Sequence, residues 1–230
     1  MTEQPADPAG EPAVVRIDVG TDGPYTVSGG VPLRRKRPVV TGQGEPVGWH
    51  AGDPIDTDDT YWLCRCGSSR NKPFCDGSHR KVGFDGTETA PTDSVLHRAT
   101  AYPAASVTVH DDRALCEHAG FCGNKLTNVW KMTQVADGAT GAEMTAMIER
   151  CPSGALSYSV EGSPVEPALP VEVGVLDDGP LWVTGRVEVH RADGQPFETR
   201  NRVTLCRCGR SASKPLCDGS HAKAGFVDHG

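Results

Sequence analysis

A repeated cysteine-rich segment is the feature of this sequence that most constrains its fold. Residues 63–84 read LCRCGSSRNKPFCDGSHRKVGF and residues 205–226 read LCRCGRSASKPLCDGSHAKAGF, so the two copies align without a gap at an offset of 142 residues. Chance does not produce such a match, and we infer an internal duplication. The similarity extends upstream, where residues 22–29 resemble residues 178–185. The chain therefore contains two copies of one small module on either side of a different middle segment.

The composition indicates that these modules are held together by more than hydrophobic burial. Only 37% of the 230 residues are hydrophobic, whereas glycine and proline contribute 27 and 18 residues. Small modules with a lean core usually need a metal or a disulfide. Complete disulfide pairing is impossible because the number of cysteines is odd, so nine thiols favour metal. The cysteines form three groups: Cys64, Cys66 and Cys75; Cys116, Cys122 and Cys151; and Cys206, Cys208 and Cys217.

Each copy is predicted to be a small β-sheet followed by a cysteine-rich loop and one short helix. Alternating segments at 14–19 and 171–175 read as strands, and further strands at 61–63 and 203–205 lead into the first cysteine of each copy. The first copy carries an insert at about 34–59 that is rich in Gly, Pro and Asp, and we predict an irregular loop there.

The spacing of the repeated cysteines, C-x-C-x8-C-x3-H, is that of a metal site. Two thiolates two residues apart can converge on one metal if the backbone turns, and a glycine after each pair permits that turn. The last cysteine and the histidine are four residues apart, which would place both on one face of a helix. Three cysteines with one histidine are also a zinc set, so the donors alone leave zinc and iron open. The candidate ligands are Cys64, Cys66, Cys75 and His79, and Cys206, Cys208, Cys217 and His221.

The full pattern C-x-C-x2-S-x3-P-x-C-D-G-S-H, present in both copies, resembles the CDGSH iron–sulfur domain of the mitoNEET-like family. The resemblance covers about half the chain. It implies a [2Fe–2S] cluster held by three cysteines and one histidine in each copy. It also implies a β-rich α+β fold in which the two modules pair as an intramolecular pseudo-dimer and exchange a strand. We therefore expect residues 15–35 and 172–190 to contribute to one shared β-structure.

The middle segment contains a different cysteine pattern. A bacterial ferredoxin has C-x2-C-x2-C with a distant Cys-Pro, whereas this chain has Cys116, Cys122 and Cys151-Pro152, with alanine at position 119. Residues 106–160 resemble a divergent, single-cluster ferredoxin-like family. Three thiolates suffice for a [3Fe–4S] cluster, or for a [4Fe–4S] cluster with another fourth ligand, for which His118 is the candidate. The alternative is a folded segment with three free thiols.

The middle segment should be an α+β module. We expect a strand at 107–109, a helix that starts at the capping box of Thr140 and Glu143 and ends near Arg150, and a strand at 156–160. Residues 86–104 and 161–170 read as linkers. The predicted divisions are a disordered N-terminus at 1–12, the first repeat at 13–88, the middle segment at 105–162 and the second repeat at 170–230.

The charge and the absence of familiar motifs narrow the function. A net charge of −7 argues against a nucleic-acid partner, and the one basic run, Arg34–Arg37, reads as a solvated loop or a docking patch for an acidic partner. The N-terminus lacks a signal peptide and no apolar stretch is long enough to span a membrane, so we expect a cytoplasmic protein. The four tryptophans are expected in the core or at interfaces.

Electron transfer is the predicted function. Three clusters in one chain suit it, and the sequence has no phosphate loop, nucleophile elbow or dinucleotide fingerprint that would indicate an enzyme. The alternatives are storage or transfer of clusters, redox or pH sensing through the histidine ligands, and a scaffold that metals only stabilise. The expected partners are a redox protein or an apo-protein that accepts clusters, with the chain itself a monomer.

Overall fold

The computed structural model describes residues 14–135 and 138–228, so the predicted disordered segment at 1–12 lies outside the described residues. The strands of the described residues are β1 (Arg16–Val19), β2 (Tyr25–Ser28), β3 (Leu33–Val40), β4 (Pro46–Ile55), β5 (Thr60–Leu63), β6 (Thr100–Ala104), β7 (Val107–Asp111), β8 (Leu156–Val160), β9 (Ser163–Val165), β10 (Glu172–Leu176), β11 (Leu181–Thr184), β12 (Glu188–His190) and β13 (Arg202–Leu205). The α-helices are α1 (Ser78–Lys81), α2 (Val95–Arg98), α3 (Val129–Met132), α4 (Gly138–Glu149) and α5 (Ser220–Lys223), and a 3-10 helix spans Arg113–Leu115.

The two repeats exchange strands in both directions. One sheet has the order β12-β1-β2-β5, so it combines a strand of the second repeat with three strands of the first. The other sheet has the order β13-β11-β10-β3-β4, in which β3 of the first repeat pairs in parallel with β10 of the second. The register is reciprocal, because Ile17 faces Val189 in one sheet and Val173 faces Leu33 in the other. The duplicated sequence therefore folds with a matching pair of crossings.

The inward-facing residues of the two sheets form one hydrophobic core. Strand β1 buries alternate residues, as expected of a strand with one solvated face. Every residue of β10, β11 and β13 is buried. The second repeat is thus covered on both faces of its sheet, whereas the first is covered on one.

The insert of the first repeat is a β-hairpin, so the predicted irregular loop at 34–59 is wrong. Strands β3 and β4 pair along this hairpin around a turn at 41–45, where Gly44 has a φ of +82°. Glycine and proline content misled the prediction, because these residues lie in the turn and along an exposed edge strand, where they are tolerated.

The basic run lies on β3 and is largely neutralised. Arg34 and Lys36 form ion pairs with Glu172, and Arg35 pairs with Asp228. The predicted solvated loop is therefore wrong, and three of its four cations are already bound to carboxylates of this chain.

The middle segment folds as a four-stranded sheet in the order β6-β7-β8-β9, with α4 packed on β8. The strands predicted at 107–109 and 156–160 are confirmed as β7 and β8. The predicted linkers are wrong in part, because they contain α2, β6 and β9. The predicted capping box is also wrong: α4 already includes Gly138, so Thr140 lies inside the helix.

Trp49 at the hairpin connects all three segments. Its ring lies 4.8 Å from the ring of Trp182 in the second repeat and 4.8 Å from that of Phe121 in the middle segment. Its indole N–H donates to the carbonyl oxygen of Arg150. Among the described residues, no helix has the length and hydrophobicity that a membrane-spanning segment requires.

Candidate metal centres

The first repeat brings its four candidate donors together as two pairs. Cys64 directly follows β5, and its Sγ atom lies 3.8 Å from that of Cys66. The Nδ1 atom of His79, on α1, lies 3.4 Å from the Sγ atom of Cys75. Cys75 precedes α1, so the predicted shared face of a helix is wrong. A turn at Gly77, with a φ of +81°, brings the two side chains together instead.

Asp76 holds the loop that carries these donors. Its carboxylate accepts hydrogen bonds from the backbone N–H groups of Arg70 and Ser78. These bonds hold the pKa of Asp76 well below its usual range. The residue at the N-cap position of α1 is Gly77, so the hydrogen bond that the Ser78 N–H donates to Asp76 stabilises this helix start, and the Ser78 hydroxyl does not cap it.

The second repeat reproduces the arrangement in a more buried setting. The Sγ atoms of Cys206 and Cys208 are 3.7 Å apart, and Nδ1 of His221 lies 3.3 Å from Sγ of Cys217. All three cysteines of the second repeat are buried, whereas only the first cysteine of the first repeat is. The two sites therefore share their chemistry and differ in their access to solvent.

The separation of the donor pairs distinguishes between the metals that could bind. A tetrahedral zinc ion, with bonds of about 2.0–2.3 Å, would draw all four donors to within roughly 4 Å of one another. In the described part of the chain, the only three Cys, His, Asp or Glu donors that lie within 4.8 Å of one another are Glu117, Cys217 and His221. Each repeat thus presents two separate pairs, which fits a group with two metals better than a single ion.

Metal ligation requires thiolates and a neutral imidazole, and some of the donors already meet this requirement. A hydrogen bond from the Cys66 thiol lowers the pKa of Cys64 to about 6. In the second repeat, the equivalent bond from Cys208 lowers the pKa of Cys206 to about 6. Burial lowers the pKa of His221, so its ring is neutral at physiological pH. The same contacts raise the pKa of the partner thiols Cys66 and Cys208, and burial raises the pKa of Cys217, so these thiols must lose a proton when a metal binds.

The two sites adjoin each other across the centre of the molecule. Cys66 and Cys208 form an antiparallel β-bridge. A Cβ atom at Gly67 would lie 2.5 Å from the carbonyl oxygen of Cys208, and one at Gly209 would lie 2.7 Å from that of Cys66. Both glycines have positive φ angles. Glycine is thus required at both positions, by backbone conformation and by close approach.

We expect Gly67→Ala to lower the free energy of unfolding by about 3 kcal/mol, since it adds a steric clash to an unfavourable left-handed conformation. Gly83→Ala is the matched control, because Gly83 has a φ of +60° but no atom lies within 4 Å of the position that an added Cβ would take. The control should lose only the conformational part, about 1 kcal/mol. Guanidinium unfolding of the three proteins measures both values, and equal losses would contradict the close approach.

Glu117 is a functional candidate that sequence reasoning missed. It lies in the middle segment, yet its carboxylate is close to Cys217 and His221 of the second repeat. Burial raises the pKa of Glu117 to about 8, and its Oε1 atom has no hydrogen-bond partner among the described residues. A buried carboxyl group without a partner is costly unless it serves a neighbouring group. No spacing rule singles out a residue between Cys116 and His118, so only the folded chain reveals it.

The three middle cysteines line one cavity of about 130 Å³. This volume is about four times the share of one water molecule in the liquid, so it can hold more than a single ion. Burial raises the pKa values of Cys116 and Cys122. His118 also lines the cavity, although it is exposed and has a φ of +65°. Ala119 lines the cavity as well, where a ferredoxin would have a cysteine.

A buried arginine lies between the paired cysteines of each repeat, and the two arginines have different partners. Arg65 donates to the carbonyl oxygens of Gly20 and Gly86, and the ion pairs within residues 14–135 and 138–228 do not include it. Arg207 also binds backbone carbonyls but forms an ion pair with Asp228, whose side chain is fully buried. The first site therefore adjoins a guanidinium without an ion pair among the described residues, and the second adjoins one that is paired with Asp228. In the sequence, the only sign of these two buried cations is the arginine between the paired cysteines of each copy.

Comparison with known proteins gives two family matches. The family described as the iron-binding zinc finger of CDGSH type matches residues 22–80 and 178–222. The family described as a divergent 4Fe-4S mono-cluster matches residues 102–161. A search of curated proteins found no match to this chain. The two family matches fall on the three groups of cysteines that the structure places around neighbouring sites.

Proposed function

We propose that this chain, in which two CDGSH-type iron-binding segments flank a divergent 4Fe-4S mono-cluster segment, is a three-cluster electron-transfer protein. Iron–sulfur clusters accept and release single electrons. The observation that carries the proposal is the adjacency of the three donor sets: Cys66 bridges to Cys208, and Glu117 reaches Cys217 and His221 from the middle segment. No substrate-binding role is proposed for the chain.

The proposed ligands follow the donor pairs. Two [2Fe–2S] clusters and one [3Fe–4S] or [4Fe–4S] cluster are assigned, and His118 is the candidate for a fourth ligand in the middle cavity because it lines that cavity. The assigned ligands are Cys64, Cys66, Cys75 and His79 in the first repeat; Cys206, Cys208, Cys217 and His221 in the second; and Cys116, Cys122 and Cys151 in the middle segment.

We further propose that the two repeats, 13–88 and 170–230, act as an intramolecular pseudo-dimer within a monomeric chain, with the middle segment at 105–162 as a ferredoxin-like module. The reciprocal pairing of β12 with β1 and of β3 with β10 supports this arrangement. Because each repeat completes a sheet of the other, neither sheet is complete without both repeats.

Storage or transfer of clusters is the second candidate function, and one observation favours it. The donors Cys66, Cys75 and His79 of the first repeat are only partly buried, so an acceptor could reach them, unlike the buried cysteines of the second repeat. A cluster that leaves the chain would leave from the first repeat.

A reductive titration of the anaerobically purified chain tests the main proposal. We expect uptake of about three electrons per chain and full reoxidation without loss of iron over repeated cycles. The chain should be incubated in parallel with an apo-ferredoxin as a probe acceptor. Transfer of iron to that acceptor at each change of oxidation state would instead support the second candidate and contradict a fixed electron carrier.

The two repeats should differ in reduction potential, the first being higher. The charge of Arg65, which has no ion pair among the described residues, and the greater exposure of the first site both favour an added negative charge there. Asp228 cancels the equivalent charge of Arg207 in the second repeat. Spectroelectrochemical titration should resolve two [2Fe–2S] potentials, and His79→Cys identifies which one belongs to the first repeat. Equal potentials, or a higher one in the second repeat, would contradict this assignment of the charges.

A further inference from the structure

We propose that the open face of the first repeat around Trp62 is the docking surface for a small redox protein that presents basic side chains around an apolar centre. This inference rests on the proposed electron-transfer function, and it adds the place and the chemistry of the partner. The surface, called the Trp62 face below, consists of Trp62, Asp56, Asp58, Phe74 and Cys75, which line a groove of about 420 Å³.

Comparison of the two repeats shows that the Trp62 face corresponds to a face that is buried in the second repeat. In the first repeat Trp62 on β5 lies directly across from Thr26 on β2, and in the second repeat Trp182 on β11 lies directly across from Thr204 on β13. In the alignment of the repeats Trp62 corresponds to Thr204 and Trp182 corresponds to Thr26, so the tryptophan stands on opposite strands of an equivalent pair. Because cross-strand partners share a face of the sheet, each repeat presents one tryptophan on the same face. The expectation that all the tryptophans are core or interface residues holds for Trp182, which is 3% exposed, but Trp62 is 52% exposed.

The cover of Trp182 comes from the long hairpin of the first repeat. The Trp49 ring lies 4.8 Å from Trp182, and the Nζ atom of Lys36 lies 4.4 Å from the centre of the Trp182 ring. The second repeat is 14 residues shorter between its matched stretches, and its β12 is followed by only a short turn at 191–195. Within residues 14–135 and 138–228, the Trp62 face is therefore the counterpart of an internal interface, without an element that covers it.

The internal interface also indicates the chemistry of an external occupant. At Trp182 the cover is an aromatic ring with a lysine whose charge is balanced by Glu172. At the Trp62 face the groove is flanked by Asp56 and Asp58, which form no ion pair within the described residues. An apolar centre with lysine or arginine at its rim would satisfy both the exposed indole and the two free carboxylates.

The position of the groove explains why the occupant would be a redox protein. Cys75, a proposed ligand of the first site, lines the groove, and its backbone N–H donates to the carbonyl oxygen of Trp62. A protein bound over Trp62 would lie against the first donor set and exclude water from it. The second donor set has no equivalent opening because Thr204 is 1% exposed.

A basic c-type cytochrome serves as the probe protein, with binding to the full chain measured at low ionic strength. Trp62→Ser and the double variant Asp56→Asn, Asp58→Asn should each weaken binding about tenfold or more. Leu126→Ser is the matched control, because Leu126 is 90% exposed and lies on the middle segment, and it should leave binding unchanged. Carbodiimide cross-links from the probe's lysines should map to Asp56 and Asp58.

Cross-links confined to other carboxylates, or unchanged binding by Trp62→Ser, would overturn the proposal. Self-association of the chain that is lost in Trp62→Ser would also overturn it, since the occupant would then be a second copy. Different outcomes would contradict the docking surface and the proposed electron-transfer function. Binding that depends on Trp62 without reduction of the probe would contradict electron transfer, whereas reduction at the wild-type rate by Trp62→Ser would contradict the docking surface.

Discussion

His79→Cys is expected to lower the reduction potential of the first site by on the order of 100 mV or more and to leave the potential of the second site unchanged. A thiolate adds one negative charge where the neutral imidazole had none, which makes an added electron less favourable. The opposite replacement, of cysteine by histidine at two positions, separates high-potential Rieske centres from plant-type ferredoxins. The structure places Nδ1 of His79 beside Cys75, where a ligand of the second metal is needed.

The reciprocal variant His221→Cys provides the control, because it should shift only the second potential. Removal of the imidazole should also abolish the pH dependence of the potential and slow the release of the cluster, since a protonated ring nitrogen cannot hold iron. Potentiometric titrations of the wild type and both variants at two pH values measure these effects. A potential that does not move in either variant would show that the histidines are not ligands and would favour a structural role for the metals.

Asp228→Asn is expected to lower the free energy of unfolding by about 3 kcal/mol, because it leaves the buried guanidinium of Arg207 without its counter-charge. Burial alone would raise the pKa of Asp228, but Arg207 and Arg35 outweigh burial and hold that pKa below its ordinary value. The carboxylate is therefore fully ionised at neutral pH, where the whole loss should appear. The difference from the wild type should shrink only as the pH falls through that lowered pKa.

A second readout separates this prediction from a general loss of stability. Without Asp228, Arg207 resembles Arg65 in having no carboxylate partner, so the potential of the second site should rise towards that of the first. Asp18→Asn is the matched control, because its ion pair with Arg16 is partly exposed and should contribute less than about 1 kcal/mol. Denaturant unfolding and potentiometry at pH 7 test both expectations. A stable variant with an unchanged potential would contradict the charge balance described for the second repeat.

The candidate donors could be identified from the sequence because they lie within short, duplicated motifs. Local hydrogen bonds hold the loop between Cys64 and His79, such as those that the backbone N–H groups of Arg70 and Ser78 donate to Asp76. The strands that enter the cysteines were predictable for the same reason, since their alternation is local. The helical face assumed for Cys75 was wrong because a glycine turn, rather than a helix, brings it to His79.

The remaining features arise from tertiary contacts that no local pattern encodes. Strand β3 of the hairpin pairs with β10, which lies more than 130 residues away in the chain. The cations of β3 form ion pairs with Asp228 and Glu172, which also lie far away in the sequence. Glu117 reaches the second site only because the middle segment packs against it. Likewise, Trp62 and Trp182 stand on opposite strands of the same cross-strand pair of the repeat, and only the folded chain shows that one is covered and the other open.

Iron and acid-labile sulfide analysis of anaerobically purified protein, combined with EPR spectra before and after reduction, tests the three-cluster account most directly. Two [2Fe–2S] clusters and one cluster of three or four irons predict about seven to eight irons per chain and a separable third EPR signal. About four irons per chain would show that the middle cavity holds no cluster. Zinc in place of iron would contradict the account as a whole.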